Sequence, residues 1–172
     1  MAPSNLVEER RHQAHPPVRD RFNEPVIIFL TVCSKDRKPL FARADSVGVI
    51  VDAWRRAESW SVGRYVVMPD HLHLFCAPAV FPIEPLMQWV RYWKSIASRN
   101  WPRAHEQPIW QRDFWDTQLR RSENYDSKWQ YVVDNPVRAG LAREADEWPF
   151  QDRKSTRLNS SHRSLSRMPS SA

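Results

Sequence analysis

The chain predicts an α+β fold, an antiparallel sheet in the ferredoxin-like β-α-β-β-α-β order with one additional C-terminal helix. Three observations carry this. Short β-branched apolar runs alternate with amphipathic stretches of helical period. Tyr65-Val66-Val67-Met68-Pro69-Asp70-His71-Leu72-His73-Leu74-Phe75 reads as strand, tight turn, strand, with Pro and Asp as turn residues. The 172 residues, 41% hydrophobic with nine Trp, suffice for one domain with a real core.

Taken in order, Met1 to Glu24 is polar and carries Pro3, Pro16 and Pro17, which predicts a mobile leader or arm. Its His12 and His15, like His105, are expected to be plain surface residues. Val26-Ile27-Ile28-Phe29-Leu30-Thr31-Val32 is near-continuously apolar, the pattern of a strand buried on both faces. Ala44 to Trp60 places Val47, Ile50, Val51, Trp54 and Ala57 at helical spacing, with Asp52, Arg55, Arg56 and Glu58 mostly opposite. The hairpin follows at about Val62 to Ala77, then a loop punctuated by Pro78, Pro82 and Pro85.

Leu86 to Trp101 predicts a second helix with Leu86, Trp89, Val90, Trp93 and Ala97 buried, Arg91, Lys94, Ser95 and Ser98 on the flanks, and Pro102 ending it. Ile109 onward reads as a loop entering a fourth strand near Phe114 to Leu119. Ser122 is the expected N-cap of a last helix running through Tyr125, Trp129, Tyr131 and Val132 to about Asp134, where Pro136 limits it. Arg143 to Gln151 closes the domain. Two helices cover one sheet face in this order, and the last helix is free to cover the other.

From Asp152 the chain reads Asp-Arg-Lys-Ser-Thr-Arg-Leu-Asn-Ser-Ser-His and ends Ser-Arg-Met-Pro-Ser-Ser-Ala. Codon by codon this matches the translation of a common sequencing-library adapter, with Arg163-Ser164-Leu165 where an index would sit. Residues 152–172 are therefore read as a non-native, disordered tail outside the fold, in preference to a natural Ser/Arg-rich nucleic-acid-binding tail. The tail holds five of the 26 basic and one of the 20 acidic residues, so the formal charge of +6 falls to +2, 21 against 19. The basic balance then argues nothing by itself; only the placement of charge does.

Composition excludes other classes. Three Gly and no G-x-G-x-x-G or G-x-x-x-x-G-K leave no nucleotide phosphate loop. The apolar runs are too short to span a bilayer and no signal peptide is present, so a cytoplasmic protein is expected. Cys33 and Cys76 read as a reduced pair.

In the second hairpin strand, residues two apart share a face, so His71 and His73 point one way and Leu72 and Leu74 the other. Two adjacent imidazoles on a rigid sheet are the start of a metal site, against the alternative of ordinary sheet histidines. Tyr131 and Asn135, four apart near the end of the last helix, fall on one face. With that face over the imidazoles, Asn135 supplies an oxygen ligand and the Tyr131 phenol sits beside the ion. Such a set suits Mg²⁺ or Mn²⁺ better than a closed zinc site.

Three segments together, Met68-Pro69-Asp70-His71-Leu72-His73-Leu74, Trp110-Gln111-Arg112-Asp113-Phe114-Trp115 and Tyr131-Val132-Val133-Asp134-Asn135-Pro136-Val137-Arg138-Ala139-Gly140-Leu141, resemble the REP-associated tyrosine transposases. These belong to the single-tyrosine HUH (His-hydrophobe-His) endonucleases. The resemblance covers about Val26 to Phe150 and makes residues 25–151 the catalytic domain. It implies His71 and His73 as metal ligands, Asn135 as the third, and Tyr131 as the nucleophile on single-stranded DNA at hairpin-forming repeats. A glutamine occupies the third position in related insertion-sequence transposases, so Asn135 departs from their pattern. The implied chemistry is cleavage and strand transfer through a 5′-phosphotyrosine, acting as a monomer or homodimer without a nucleotide cofactor.

Tyr125 is the competing nucleophile, but Trp129 stands four residues on where Tyr131 has an amide. Arg91, Lys94, Arg99, Arg103, Arg120, Arg121 and Arg138 are candidate phosphate contacts, and Trp110 and Trp115 candidate base-stacking residues, each against a solvated or packing role. Two other readings compete: a non-catalytic module holding structured DNA or RNA, and a small-molecule phosphoesterase. The first lacks the aromatic strand signature of RNA-binding sheets. The second wants a third alternating histidine, where Phe75 stands.

Overall fold

The computed structural model describes residues 15, 17–18, 25–119 and 122–152. Strands β1 (Ile27–Ser34), β2 (Trp60–Val67), β3 (His71–Pro78) and β4 (Trp110–Leu119) form one sheet in the order β2-β3-β1-β4, every neighbouring pair antiparallel. Helix α1 (Ala44–Arg56) connects β1 to β2 with β3 lying between them, and α2 (Leu86–Arg99) connects β3 to β4. This is the expected ferredoxin-like arrangement. Beyond it lie α3 (Ser122–Val133) and a single helical turn, α4 (Asn135–Arg138).

Strand alternation divides the core in two. Ile28, Leu30 and Val32 of β1 and Leu72, Leu74 and Cys76 of β3 face the α1/α2 layer, where Ile50, Trp54, Trp89 and Trp93 are buried. Burying a side chain of this size is worth roughly 1.5–3 kcal/mol, which makes this the dominant layer. The opposite face carries Phe29, Val66, Met68 and Phe75, covered by Val132 of α3 and Trp148. The closing segment is fastened there as well. The Trp148 indole donates to the Val67 carbonyl at 3.0 Å, and the Val67 N–H donates to Phe150 O at 2.8 Å.

Several boundaries depart from expectation. Trp60 opens β2 instead of ending α1, because its ring packs on Trp89 and its indole donates to Glu84 O. Strand β4 begins at Trp110, where the sequence suggests a loop, since it resumes pairing at Ser34 across an irregularity whose extra residues lie in β4. The polar Gln111-Arg112-Asp113 run hides this strand because it occupies a sheet edge. Lys94 is buried, 8% exposed, instead of lying on a helix flank. His15 belongs to no open surface either: its Nδ1 lies 2.5 Å from Asp116 Oδ1 and its ring stacks on Phe114 at 4.1 Å. The rest of the expected leader and all of the expected tail except Asp152 lie outside the described residues, as does the side chain of Ser122, the expected cap. Among the described residues no helix is long and apolar enough to cross a membrane.

Candidate metal and nucleophile site

The Met68–His71 turn, closed by Met68 N–H on His71 O at 2.8 Å, delivers β3 into the sheet with both histidines on the α3 face. Their ring centroids are 4.9 Å apart and nearly perpendicular. Each imidazole is pinned at Nδ1. His71 Nδ1 lies 2.7 Å from Asp70 Oδ1, and His73 Nδ1 lies 2.8 Å from Thr31 Oγ1, contributed by the facing position of β1. In a neutral imidazole whose Nδ1–H donates to such an oxygen, the lone pair resides on Nε2, the usual preparation of a ligating histidine. Burial, then the neighbouring His71, lowers the His73 pKa to about 3, with Lys128, Arg37 and Arg138 acting in the same direction. His73 is therefore neutral at physiological pH, the form that binds a metal ion.

Asp70 is held in turn. Arg37, in the left-handed region at φ 56°, places its Nε 2.8 Å from Asp70 Oδ2 and donates from Nη1 to Cys33 Sγ at 2.7 Å. Neither Arg37, Thr31 nor the role of Asp70 beyond its turn was read from the sequence. Only the strand register, which puts Thr31 beside His73, held a signal.

Helix α3 crosses the same face because Phe29 and Phe75 leave it apolar there. The Tyr125 and Trp129 rings lie 4.7 and 6.1 Å from Phe75, and the Lys128 ammonium 4.8 Å from the Phe29 centroid. Tyr131 lies on the neighbouring stripe, 60% exposed, at a groove shared with Thr117, Leu119, Asn124, Ser127 and Lys128. The structure thus puts the helix bearing Tyr131 on the sheet face that bears both imidazoles.

Arg138 ties this end together. Its guanidinium lies 4.2 Å from the Tyr131 ring centroid and donates to Tyr131 O at 2.6 Å and to Asn135 Oδ1. Tyr125, by contrast, is half-buried under the Arg64 guanidinium, and its hydroxyl has no hydrogen-bond partner among the described residues. Burial raises its pKa, which opposes a nucleophilic role.

Two imidazoles with ring centroids 4.9 Å apart could together hold a divalent cation. Among the described residues no group of three or more His, Cys, Asp or Glu side chains converges. Asn135, the third ligand expected from the sequence, has its Oδ1 accepting from Arg138.

Of the candidate DNA contacts, Trp115 is 40% exposed on the histidine face, paired with Thr31. Trp110 is not available for base stacking. It packs against Phe41 and Trp93 on the opposite face and donates to Lys94 O and Ser98 Oγ, because β4 turns it into the main core. Lys94 points inward, and Arg91 lines a cavity beside it. Arg99 is exposed at the end of α2, and Arg103 pairs with Asp45 at 2.7 Å. Arg120 and Arg121 lie outside the described residues.

The fold and site define a ferredoxin-like α+β domain with a histidine pair on an inner strand and a tyrosine-bearing helix across the same face. No protein-family model matches the chain. Its sequence is 26% identical over 97 residues to a REP-associated tyrosine transposase of Escherichia coli, an alignment covering 56% of each chain. A relative of the same designation from Haemophilus influenzae is 22% identical over 146 residues, 77% of this chain and 82% of the relative. The chain thus spans little more than half the length of the first relative. A REP-associated tyrosine transposase solved with a REP hairpin shares the fold at a TM-score of 0.62 and 21% identity, over 80% of this chain and 82% of the other. In sequence and in fold the chain is thus similar to REP-associated tyrosine transposases.

Proposed function

We propose that this chain cleaves and rejoins single-stranded DNA at hairpin-forming repeats, with Tyr131 as nucleophile, as in a transposase. The observation that carries the reading is the arrangement of one sheet face. An exposed phenol and two Nδ1-pinned imidazoles, that of His73 neutral, share it. The homology to transposases, one of whose structures holds a REP hairpin, supports DNA as the substrate.

A phenol of ordinary pKa, about 10, is ionised in only about one molecule in a thousand at neutral pH. Positioning and local positive charge must supply the rest. Arg138 over the Tyr131 ring and Lys128 lining the same groove are two cations near the phenol, which supports this role. His71 and His73, with Asn135 as third ligand, would hold Mg²⁺ or Mn²⁺, which when bound offsets charge on the phosphate oxygens. In the reaction the Tyr131 oxygen bonds to phosphorus as the bond to the 3′ oxygen breaks. The departing oxygen takes a proton, leaving a 5′-phosphotyrosine and a free 3′-hydroxyl. One phosphoester replaces another, so a second 3′-hydroxyl reverses the step without ATP.

The test is incubation of the purified full chain with a hairpin oligonucleotide carrying single-stranded flanks and Mg²⁺ or Mn²⁺, followed by denaturing electrophoresis. The expected result is an SDS-resistant adduct, lost in Tyr131→Phe and in His71→Ala. Adduct surviving in Tyr131→Phe but absent in Tyr125→Phe would move the nucleophile. DNA binding with no adduct under either metal would leave a binding-only module.

A further inference from the structure

We infer that the cavity between α2 and β4, on the sheet face away from Tyr131, is a second phosphate site that seats one phosphodiester of a DNA strand. It rests on the reading above for DNA as the source of that phosphate, and on its own residues for the anion. The cavity, about 140 Å³, is bordered by Arg91 and Lys94 of α2, Arg112 and Phe114 of β4, and His15. Small-molecule pockets usually run to about 300–1,000 Å³, so this one suits a phosphate-sized group.

Its floor is the decisive feature. Lys94 is 8% exposed, and its ammonium, with three protons to donate, has Gln111 O at 3.0 Å as its one acceptor among the described residues. A buried cation without an ion pair is costly and is retained where an anion repays it. Arg91 is exposed, as is Arg112, and neither guanidinium makes a hydrogen bond or ion pair among the described residues. Asp113 borders the same cavity and has partners of its own, so it offsets part of this charge without removing it. Burial lowers the Lys94 pKa to about 8, which leaves it mostly protonated at neutral pH and ready to be charged fully by an incoming anion.

Placement in the fold indicates how a strand reaches both faces. Strand β4 is the sheet edge, paired on one side with β1. Phe114 turns toward the cavity, while the next residue, Trp115, turns its indole out on the histidine face. A single strand rounding this edge meets the indole on one side and the three cations on the other.

The experiment measures binding of the same hairpin oligonucleotide to the full chain by fluorescence anisotropy across a salt series. Each phosphate neutralised contributes about 0.7–0.9 to the slope of log K against log salt. The expected result for the double variant Arg91→Ala/Arg112→Ala is a slope lower by about one and an affinity several-fold weaker at low salt. Lys94→Met should lower the slope likewise, whereas Arg55→Ala on α1 should change neither quantity. Unchanged slope and affinity in both cavity variants would overturn the inference. So would a cavity-dependent thermal shift with inorganic phosphate while the DNA slope stays that of wild type, which would make it a free-anion site. The adduct assay on wild-type chain separates the two claims. Wild-type chain that forms no adduct sinks the cleavage reading, yet a slope difference in the cavity variants still supports a phosphate seat.

Discussion

At the scale of the residue, two buried side chains illustrate opposite uses of desolvation. His73 loses affinity for protons because burial disfavours its cation, and neutrality is what a metal ligand needs. Lys94 suffers the same penalty yet must stay charged to serve an anion. The shift of Lys94 from 10.5 to about 8 amounts to a folding penalty on the order of 3 kcal/mol at neutral pH. Below pH 8 both folded and unfolded chains carry the proton, and the penalty is complete. Between pH 8 and 10.5 the folded chain releases the proton first, so stability rises with pH in that window. Lys94→Met should therefore be more stable than wild type at pH 7, by about 1–3 kcal/mol once the orphaned Gln111 carbonyl is counted, and should lose the alkaline rise. Urea melts at pH 7 and pH 10 measure both. A variant that is less stable at pH 7 with the alkaline rise intact would show that Lys94 is no burden.

At the scale of the element, the turn before β3 and the turn after α3 set the site. Asp70 sits between Arg37 and His71, so Arg37→Ala should leave the ring of His71 free to rotate. Outer partners of this kind are worth about 10–100-fold in metal affinity. Titration with Mn²⁺, followed by paramagnetic resonance, should show weakening of that order with little change in the unfolding midpoint. Equal affinity would make the Arg37–Asp70 pair merely structural. Gly140, at φ 70°, closes α4 with its N–H on Val137 O at 2.9 Å. An L side chain there costs about 1–2 kcal/mol, so Gly140→Ala should destabilise by about that amount in a thermal melt and disturb Arg138, two residues away. The order of elements and the shared face of His71 and His73 were legible in sequence, because strand and helix periods fix them locally. The single helix expected to carry both Tyr131 and Asn135, by contrast, ends at Val133, and Asn135 opens α4. The pinning of Asp70 by Arg37 was not legible. Those residues lie 33 positions apart and meet only after β1 and β3 pair. Lys94 misled for a related reason: its position on α2 reads as a polar flank until β4 covers it.

At the scale of the whole molecule, a sheet lies between layers of unequal strength. The α1/α2 layer buries Ile50, Trp54, Trp89, Trp93 and Ile96 within a continuous core. The α3 layer rests chiefly on Val132 and Trp148 against Phe29, Val66, Met68 and Phe75. Local opening follows buried apolar contact, so α3 should open before α1 and α2 do. This matters to the chemistry, because the distance from Tyr131 to the histidines is set by how α3 docks, while the histidines belong to an inner strand. Trp148→Ala removes a buried ring and its hydrogen bond to Val67, a change that typically costs about 3–5 kcal/mol in a core. Hydrogen exchange of wild type should find the α3 amides less protected than those of α2, and Trp148→Ala should widen the difference several-fold while β1 and β3 stay protected. Metal binding at the histidines should then survive in Trp148→Ala as adduct formation falls, since the strand that carries the imidazoles keeps its partners and the helix that carries the phenol does not. Simultaneous loss of protection in α2, α3 and the sheet would instead mean that the two layers fold as one unit, with the position of Tyr131 fixed by the entire fold.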